Sequence, residues 1–235
     1  MRRITITDGD NKTINAIYLY TSLSEVLVST NSKVSESFCS GRAYIFIDVE
    51  DKYYTMVKGE IEDKIADIIT ISYKNEYMYP LVNPEGLSKK EKELLISGLI
   101  SADLEDDKRY VIARVKDMQV YAVDGILNFR LKPLKEKWKE VISYIPTSFT
   151  KNELKEFMGY LLEDKVGKTV YVNKQMVYDS HFKRLIRSYL LGNGKLDLIK
   201  EIILSCSGRV ELSGEIPKED EMYLREYYTG KITTC

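Results

Sequence analysis

The spacing of apolar residues along the chain changes from a strand period to a helix period near residue 60. Before that point, "RITIT" alternates, and "KTINAIYLYTSL" and "AYIFIDVEDKYYTMVKG" are rich in β-branched and aromatic residues. These segments predict strands, the last of them two strands around a tight turn at Glu50 and Asp51. The polar stretch "STNSKVSESFCSG" predicts a connecting loop.

Beyond residue 60, apolar residues recur every three or four positions, which predicts helices. One helix carries its apolar stripe on Ile61, Ile65, Ile68 and Ile69. Two further segments, "LSKKEKELLISGLISADL" and "TKNELKEFMGYLL", open with a Ser or Thr followed three residues later by Glu, the spacing of a capping box. A short additional helix is predicted for "KRYVIARVKDM".

The segment "VDGILNFRLKPLKEKWKEVISYI", residues 123–145, combines an apolar stripe with a basic opposite side. Asp124 is predicted to cap its start. Pro133 interrupts the pattern, which predicts either a kinked helix or two closely abutted helices. The stripe itself is continuous and consists of Leu127, Leu131, Leu134, Trp138, Val141 and Ile145.

The C-terminal seventy residues predict a small α/β unit. "KTVYV" and "QMVYD" predict a hairpin with Asn173 and Lys174 in the turn, and "SHFKRLIRSYLLG" predicts a helix capped by Ser180. "DLIKEIILSCSGRVEL" and "DEMYLREYYTGKITT" form a weak repeat of helix, glycine and strand. Strands that alternate with helices in this way are expected to be parallel neighbours.

These elements together predict an α+β fold. We expect a β-rich N-terminal part, a helical middle and a small C-terminal α/β unit with parallel strands. The corresponding domains are residues 1–59, 60–165 and 166–235.

Composition excludes some classes of protein but indicates no particular activity. The 235 residues carry a net charge of -1, so bulk charge favours neither nucleic acid nor membrane. Three widely spaced cysteines argue against a disulfide framework and against a cysteine zinc site. No apolar run has the length of a signal peptide or of a membrane span, so we expect a cytoplasmic protein that does not bind membranes.

Basic residues cluster in 108–139, after an acidic stretch in 60–107. The preferred interpretation of the amphipathic segment 123–145 is a core helix with a solvated basic face. It could also dock a partner, or its cations could contact phosphates. The candidate interaction surface for the last two cases comprises Arg130, Lys132, Lys135, Lys139, Lys183, Arg184 and Arg187.

Catalytic candidates are few. His181, the single histidine, could act as a general base oriented by Asp179, and Cys206 could pair with it as a nucleophile. A half-buried or surface histidine and a buried cysteine are the preferred interpretations. "VGKT" at residues 166–169 lacks the first glycine of a phosphate-binding loop and is predicted to be a turn. No catalytic, cofactor or metal residue is therefore assigned.

One segment resembles a known family. "DGILNFRLK", residues 124–132, follows "KIADIITISYKNEYMYPLV" and "LSKKEKELL" in an order similar to the YtxC-like sporulation protein family. The resemblance spans roughly residues 60 to 235. It implies an endospore-forming bacterium and a role linked to sporulation, and it implies no reaction, cofactor or catalytic residue.

The expected function is accordingly that of a non-enzymatic, sporulation-associated protein that binds another protein or itself. Nucleic-acid binding through the basic residues is one alternative. An enzyme that uses His181 is the other.

Overall fold

Two four-stranded sheets and the helices around them make up the computed structural model, which describes residues 1–9, 12–163, 168–192 and 195–234. The chain is 55% helical and 20% strand, which confirms the predicted α+β fold. It divides into two compact units, each made from two separate stretches of chain. The N-terminal unit is Met1–Tyr73 with Asp106–Lys139, and the C-terminal unit is Lys74–Glu105 with Glu140–Cys235.

The N-terminal unit contains a sheet with strand order β2-β3-β1-β4. Its central strand β1 (Arg2–Gly9) pairs antiparallel with β3 (Arg42–Val49) and parallel with β4 (Val120–Ala122). Alternate side chains of β1 and β3 are buried on one face, as the period of two requires. The predicted strand at "RITIT" is therefore confirmed.

Two predictions for residues 12–39 are wrong. The segment "KTINAIYLYTSL", residues 12–23, was predicted as strand but belongs to helix α1 (Thr13–Ser29), because Leu19, Leu23 and Leu27 are spaced by four and pack inward. Residues Lys33–Cys39, predicted as loop, form strand β2, which pairs antiparallel with β3. The sequence of β2 is polar because the strand lies at the edge of the sheet, where all seven of its residues are exposed.

Helix α2 (Tyr54–Asp67) stands where the second strand of "AYIFIDVEDKYYTMVKG" was predicted, so that prediction is also wrong. It continues through a π-helical turn, Ile68–Tyr73, into α3 (Lys74–Met78). Every residue of the π-helical turn is buried, including the polar Thr70 and Ser72, so this turn is covered on all sides and has no exposed face. Helix α4 (Lys89–Val115) unites two segments predicted as separate helices.

The amphipathic segment 123–145 is two abutted helical pieces, as one of the two predicted alternatives required. A short α5 (Val123–Gly125) and a π-helical turn (Ile126–Arg130) precede α6 (Lys132–Ser143). Pro133 falls in the first turn of α6, where a missing N–H costs no helical hydrogen bond.

The apolar stripe of that segment is buried from Leu127 to Trp138 and half-buried at Val141 and Ile145, which confirms a core helix with a solvated basic face over residues 127–138. Leu127, Leu134 and Trp138 are at most 5% exposed. The predicted cap is wrong, because the Asp124 side chain binds the Arg42 guanidinium through two hydrogen bonds instead of capping the helix.

The C-terminal unit contains helices α7 (Lys151–Leu161), α8 (Leu198–Leu204) and α9 (Lys218–Tyr227). Both predicted capping boxes are present, at Ser88 with Glu91 and at Thr150 with Glu153. The sheet has the order β6-β5-β7-β8. Its strands are β5 (Thr169–Asn173), β6 (Met176–Tyr178), β7 (Arg209–Ser213) and β8 (Ile232–Thr234).

The strand pairing of this sheet confirms the prediction of parallel neighbours. Strand β7 is parallel to both β5 and β8, and β5 and β6 form the predicted antiparallel hairpin. The turn residues are Lys174 and Gln175, one position later than predicted, and both have positive φ angles.

The predicted helix from Ser180 is wrong over most of its length. The Asp179 carboxylate accepts hydrogen bonds from the backbone N–H groups of His181 and Lys183, which favours a turn over a helix start. Arg184 then bridges Tyr178 antiparallel, and only Arg187–Leu191 is helical, as a 3₁₀ turn. The predicted stop at Gly192 is confirmed by its left-handed conformation.

Candidate binding surfaces

Strand β2 is an open sheet edge. Among the residues that the structure describes it pairs with β3 alone, and all seven of its own residues are exposed. Its pairing register is continuous over Lys33–Cys39, so no bulge twists the edge away, and it contains no proline. Natural sheets usually protect an edge by such devices or by a covering element. The outer backbone groups of β2 are therefore available to another strand.

One face of β2 also presents uncovered apolar side chains. Val34 and Phe38 lie on the same face as Ile45 and Ile47 of β3, because directly paired residues share a face. The isoleucines are buried, whereas the Phe38 side chain is 70% exposed. The buried core thus ends at β3. Val34 and Phe38 form an apolar flank beside the open edge, and Glu36 lies between them.

In the described part of the chain, the C-terminal sheet has one fully buried face and one partly open face. Its covered face holds the buried side chains of Val170, Val172, Val177, Val210 and Leu212. On the opposite face, strand pairing places five side chains in one row across the sheet. That row, which we call the open row, runs Arg184, Tyr178, Tyr171, Glu211 and Thr233, and each member is half-buried or exposed.

An aromatic pocket of about 280 Å³ lies over the open row. The Phe182 ring stacks on Tyr171 with 5.0 Å between ring centroids, yet Phe182 remains 70% exposed. Phe182 holds a left-handed backbone conformation with φ of 58°, which is uncommon for a bulky residue. Tyr178 and Glu211 also line the pocket, together with Asn173 and Ser213 at the carboxyl ends of β5 and β7.

The predicted interaction surface divides between the two units. Arg130, Lys132, Lys135 and Lys139 belong to the N-terminal unit, where the Lys135 ammonium donates to the Asn128 side chain. Lys183 and Arg184 are exposed in the C-terminal unit, beside Phe182. Arg187 is half-buried, because its guanidinium donates to the Leu204 carbonyl oxygen. It is thus held in the fold and is a poor contact residue.

The catalytic candidates are not assembled. His181 is exposed, and its Nδ1 lies 3.5 Å from Ser180 Oγ. The Asp179 carboxylate binds backbone N–H groups, so the predicted orienting contact to the imidazole is replaced. Cys206 is buried with Sγ 3.4 Å from Ser101 Oγ. Val166 and Gly167 of "VGKT" lie outside the described residues.

Buried charges form structural clusters. Asp67, fully buried, lies 2.7 Å from both the Lys108 ammonium and the Tyr18 hydroxyl. Burial and the Asp67 carboxylate raise the pKa of Asp63, but Lys108 and Lys64 outweigh them and hold that pKa below its usual value.

Glu201 has a comparable role in the C-terminal unit. Burial raises the pKa of its carboxyl group, which accepts hydrogen bonds from the backbone N–H groups of Arg187 and Ser188. The side chain thereby fixes the start of the 3₁₀ turn. Lys200, also buried, pairs with Glu93 at a cavity of about 350 Å³. Glu201 and Lys200 thus both have hydrogen-bond or ion-pair partners within the fold.

Neither a metal-binding cluster nor a membrane-spanning helix occurs among the described residues. These residues contain no cluster of three or more His, Cys, Asp or Glu side chains arranged to hold a metal ion. Within the same residues, no helix combines the length and the apolar character needed to cross a bilayer.

Comparisons leave the family assignment as a prediction. No family model matches the chain, and no curated protein or solved structure matches it significantly.

The sequence analysis predicted neither the open edge of β2 nor the open face of the C-terminal sheet. The available signal was alternation: "KVSESFC" alternates weakly, and "TVYV" and "MVY" place tyrosines opposite valines.

Proposed function

We propose that this chain is a sporulation-linked cytoplasmic protein that acts without catalysis, by binding a partner protein through strand β2. The observation that carries the proposal is the seven-residue sheet edge, exposed along its whole length and unprotected by proline or bulge. The link to sporulation is supported by the resemblance of residues 124–132 to the YtxC-like family.

The edge favours an extended partner segment that adds a strand to the sheet. Main-chain hydrogen bonds supply affinity in this mode, and alternate side chains supply specificity. On the face of Val34 and Phe38 the partner segment would place apolar side chains, with a basic residue near Glu36. A partner strand of this composition would bury the apolar flank and neutralise the charge between its two apolar residues.

Charge placed on the edge tests this proposal. Phe38→Lys and Glu36→Lys should each lower retention of the partner about tenfold or more, because a lysine opposes apolar burial and reverses the central charge. Phe129→Lys is the matched control, since Phe129 is an exposed phenylalanine of the same unit, 81% accessible, that lies in a π-helical turn and not in the sheet. The intact chain serves as bait in lysates of growing and sporulating cells.

A supporting result requires one retained protein that is lost with both edge variants and kept by Phe129→Lys. Its binding should also slow hydrogen exchange at the amides of Lys33–Cys39. The proposal would be contradicted if the edge variants retained the partner as well as the starting chain does. It would also be contradicted if the partner slowed hydrogen exchange elsewhere but not in β2.

The sporulation link has its own test. A strain that lacks this chain should form fewer heat-resistant spores, and the protein should accumulate during sporulation. Normal spore counts from the deletion strain would remove the link while leaving the binding mode of β2 intact. The alternative of an enzyme using His181 gains no support, because neither Asp179 nor Cys206 is placed to activate the imidazole.

A further inference from the structure

We infer that the open face of the C-terminal sheet binds single-stranded nucleic acid, at a site separate from strand β2. Three features of the face point to this ligand: stacked aromatic rings, exposed cations without carboxylate partners, and polar groups at the floor of a pocket.

The aromatic rings provide a stacking surface. Phe182 and Tyr171 are already stacked at 5.0 Å, and most of the Phe182 ring remains accessible. Unpaired bases stack on such rings whatever their sequence, because every base has a π-face. Phe182 has a left-handed backbone conformation, which is uncommon for a bulky residue, and its ring lies over the sheet, stacked on Tyr171.

Two cations share the open face with the rings, and two more are exposed in the neighbouring turn and loop. Arg184 belongs to the open row, and Arg209 lies two residues from Glu211, so both point to the open face. Lys174 is exposed in the hairpin turn and Lys183 lies next to Phe182. Within the described part of the chain, none of these four side chains forms an ion pair. Several separate cations suit a chain of phosphates better than the single phosphate of a free nucleotide.

The pocket floor can discriminate between bases. Glu211, Asn173 and Ser213 line it, and a carboxylate accepts hydrogen bonds from the amino group of a base edge. Thymine and uracil lack that group. A cytosine-containing strand should therefore bind more tightly than a thymine-containing one, and Glu211→Gln should reduce the difference.

Fluorescence anisotropy with the full chain tests the inference. The probes are labelled ten-nucleotide oligo(dC) and oligo(dT), the oligo(C) RNA, a ten-base-pair duplex and cytidine monophosphate as competitor. Phe182→Ala should weaken oligo(dC) binding about tenfold, the loss of one stacked base. Lys183→Glu with Arg184→Glu should weaken it further and lower the salt dependence.

Matched controls use the other unit. Phe129→Ala removes an exposed ring, and Arg130→Glu with Lys132→Glu makes the same charge change, so both should leave oligo(dC) affinity within twofold of the starting chain. Circular dichroism confirms that each variant is folded. Phe182 and Arg184 are exposed, so their replacement should leave the fold intact.

Three outcomes would overturn the inference. The first is no oligonucleotide binding at low salt, and the second is equal loss from the control variants. The third is competition by cytidine monophosphate at the concentration that saturates oligo(dC), which would assign the pocket to a free nucleotide. A protein partner lost with Phe182→Ala, in the absence of oligonucleotide binding, would assign the face to protein contact instead. Because these variants leave β2 unchanged, failure here does not bear on the proposed edge interaction.

Discussion

At the scale of single residues, burial decides how much a charged side chain contributes to the stability of the fold. Lys108 lies within 2.8 Å of Asp63 and 2.7 Å of Asp67, in a cluster closed by the Tyr18 hydroxyl. Arg109, its neighbour in sequence, is 79% exposed and pairs with Asp106 at the surface. The buried pairing is needed because an unpaired buried carboxylate is strongly unfavourable, whereas the surface pair is screened by water.

Replacement of these two neighbouring cations should therefore differ greatly in effect. Lys108→Met should lower the free energy of unfolding by about 3 kcal/mol, because it removes the nearer of two cations beside the buried Asp67 and leaves only Lys64, 3.8 Å away. Arg109→Met should change it by less than about 0.5 kcal/mol. Urea unfolding followed by circular dichroism measures both. Equal losses from the two variants would show that Lys108 is not the counter-charge on which Asp67 depends.

At the scale of elements, two helix-interior glycines have different surroundings. A Cβ atom at Gly98 of α4 would lie 2.9 Å from Met158 Sδ and 3.2 Å from a methyl group of Leu161, so this glycine allows α7 to approach α4 closely. A Cβ atom at Gly159 of α7 would meet nothing within 4 Å. The sequence alone predicts the same free-energy cost for a glycine at either helix position. Only the packing around the two glycines distinguishes them.

Substitution of the two glycines should consequently have opposite signs. Gly98→Val should destabilise the chain by about 1–3 kcal/mol through overpacking against α7. Gly159→Ala should stabilise it by about 0.5–1 kcal/mol, because alanine has the higher helix propensity and nothing obstructs it. Thermal and urea unfolding of the two variants provides the measurement. A stabilising Gly98→Val would mean that the two helices separate at little cost.

Local signals predicted the starts of helices but not every element. The starts of α4 and α7 were predicted correctly, since Ser88 and Thr150 act within their own turns, although α4 continues through a segment predicted as a separate helix. Helix α1 was predicted as strand because "KTINAIYLYTSL" is rich in residues with strand propensity, and packing of Leu19 and Leu23 overrode that preference. Strand β2 was missed because an uncovered edge has no buried face to impose alternation.

At the scale of the whole molecule, both units are discontinuous in sequence. The C-terminal unit combines Lys74–Glu105 with Glu140–Cys235. Ser101 of α4 donates to the Ile203 carbonyl oxygen, and Glu93 pairs with the buried Lys200. The C-terminal sheet and its helices thus depend on a helix that lies far earlier in the chain.

A fragment limited to the C-terminal stretch should therefore fail to fold. Residues 140–235 alone should unfold without a cooperative transition, because Lys200 and the Ile203 carbonyl lose their buried partners. Residues 74–235, which restore α4, should recover a sharp urea transition. Circular dichroism with a urea gradient compares the two, and an equally sharp transition in the shorter fragment would contradict the dependence on α4.

The sequence by itself determined the features whose signals are local. It specified the α+β class, the capped helices, the parallel C-terminal strands and the buried stripe of Leu127, Leu134 and Trp138, because period and capping act between residues a few positions apart. Tertiary structure alone decided the rest. Which strand forms an open edge, and which face of a sheet remains uncovered, depends on where distant elements pack. Local alternation could therefore indicate strands with two different faces, but it could not show that β2 would be an edge or that the row of Tyr171 and Glu211 would stay open.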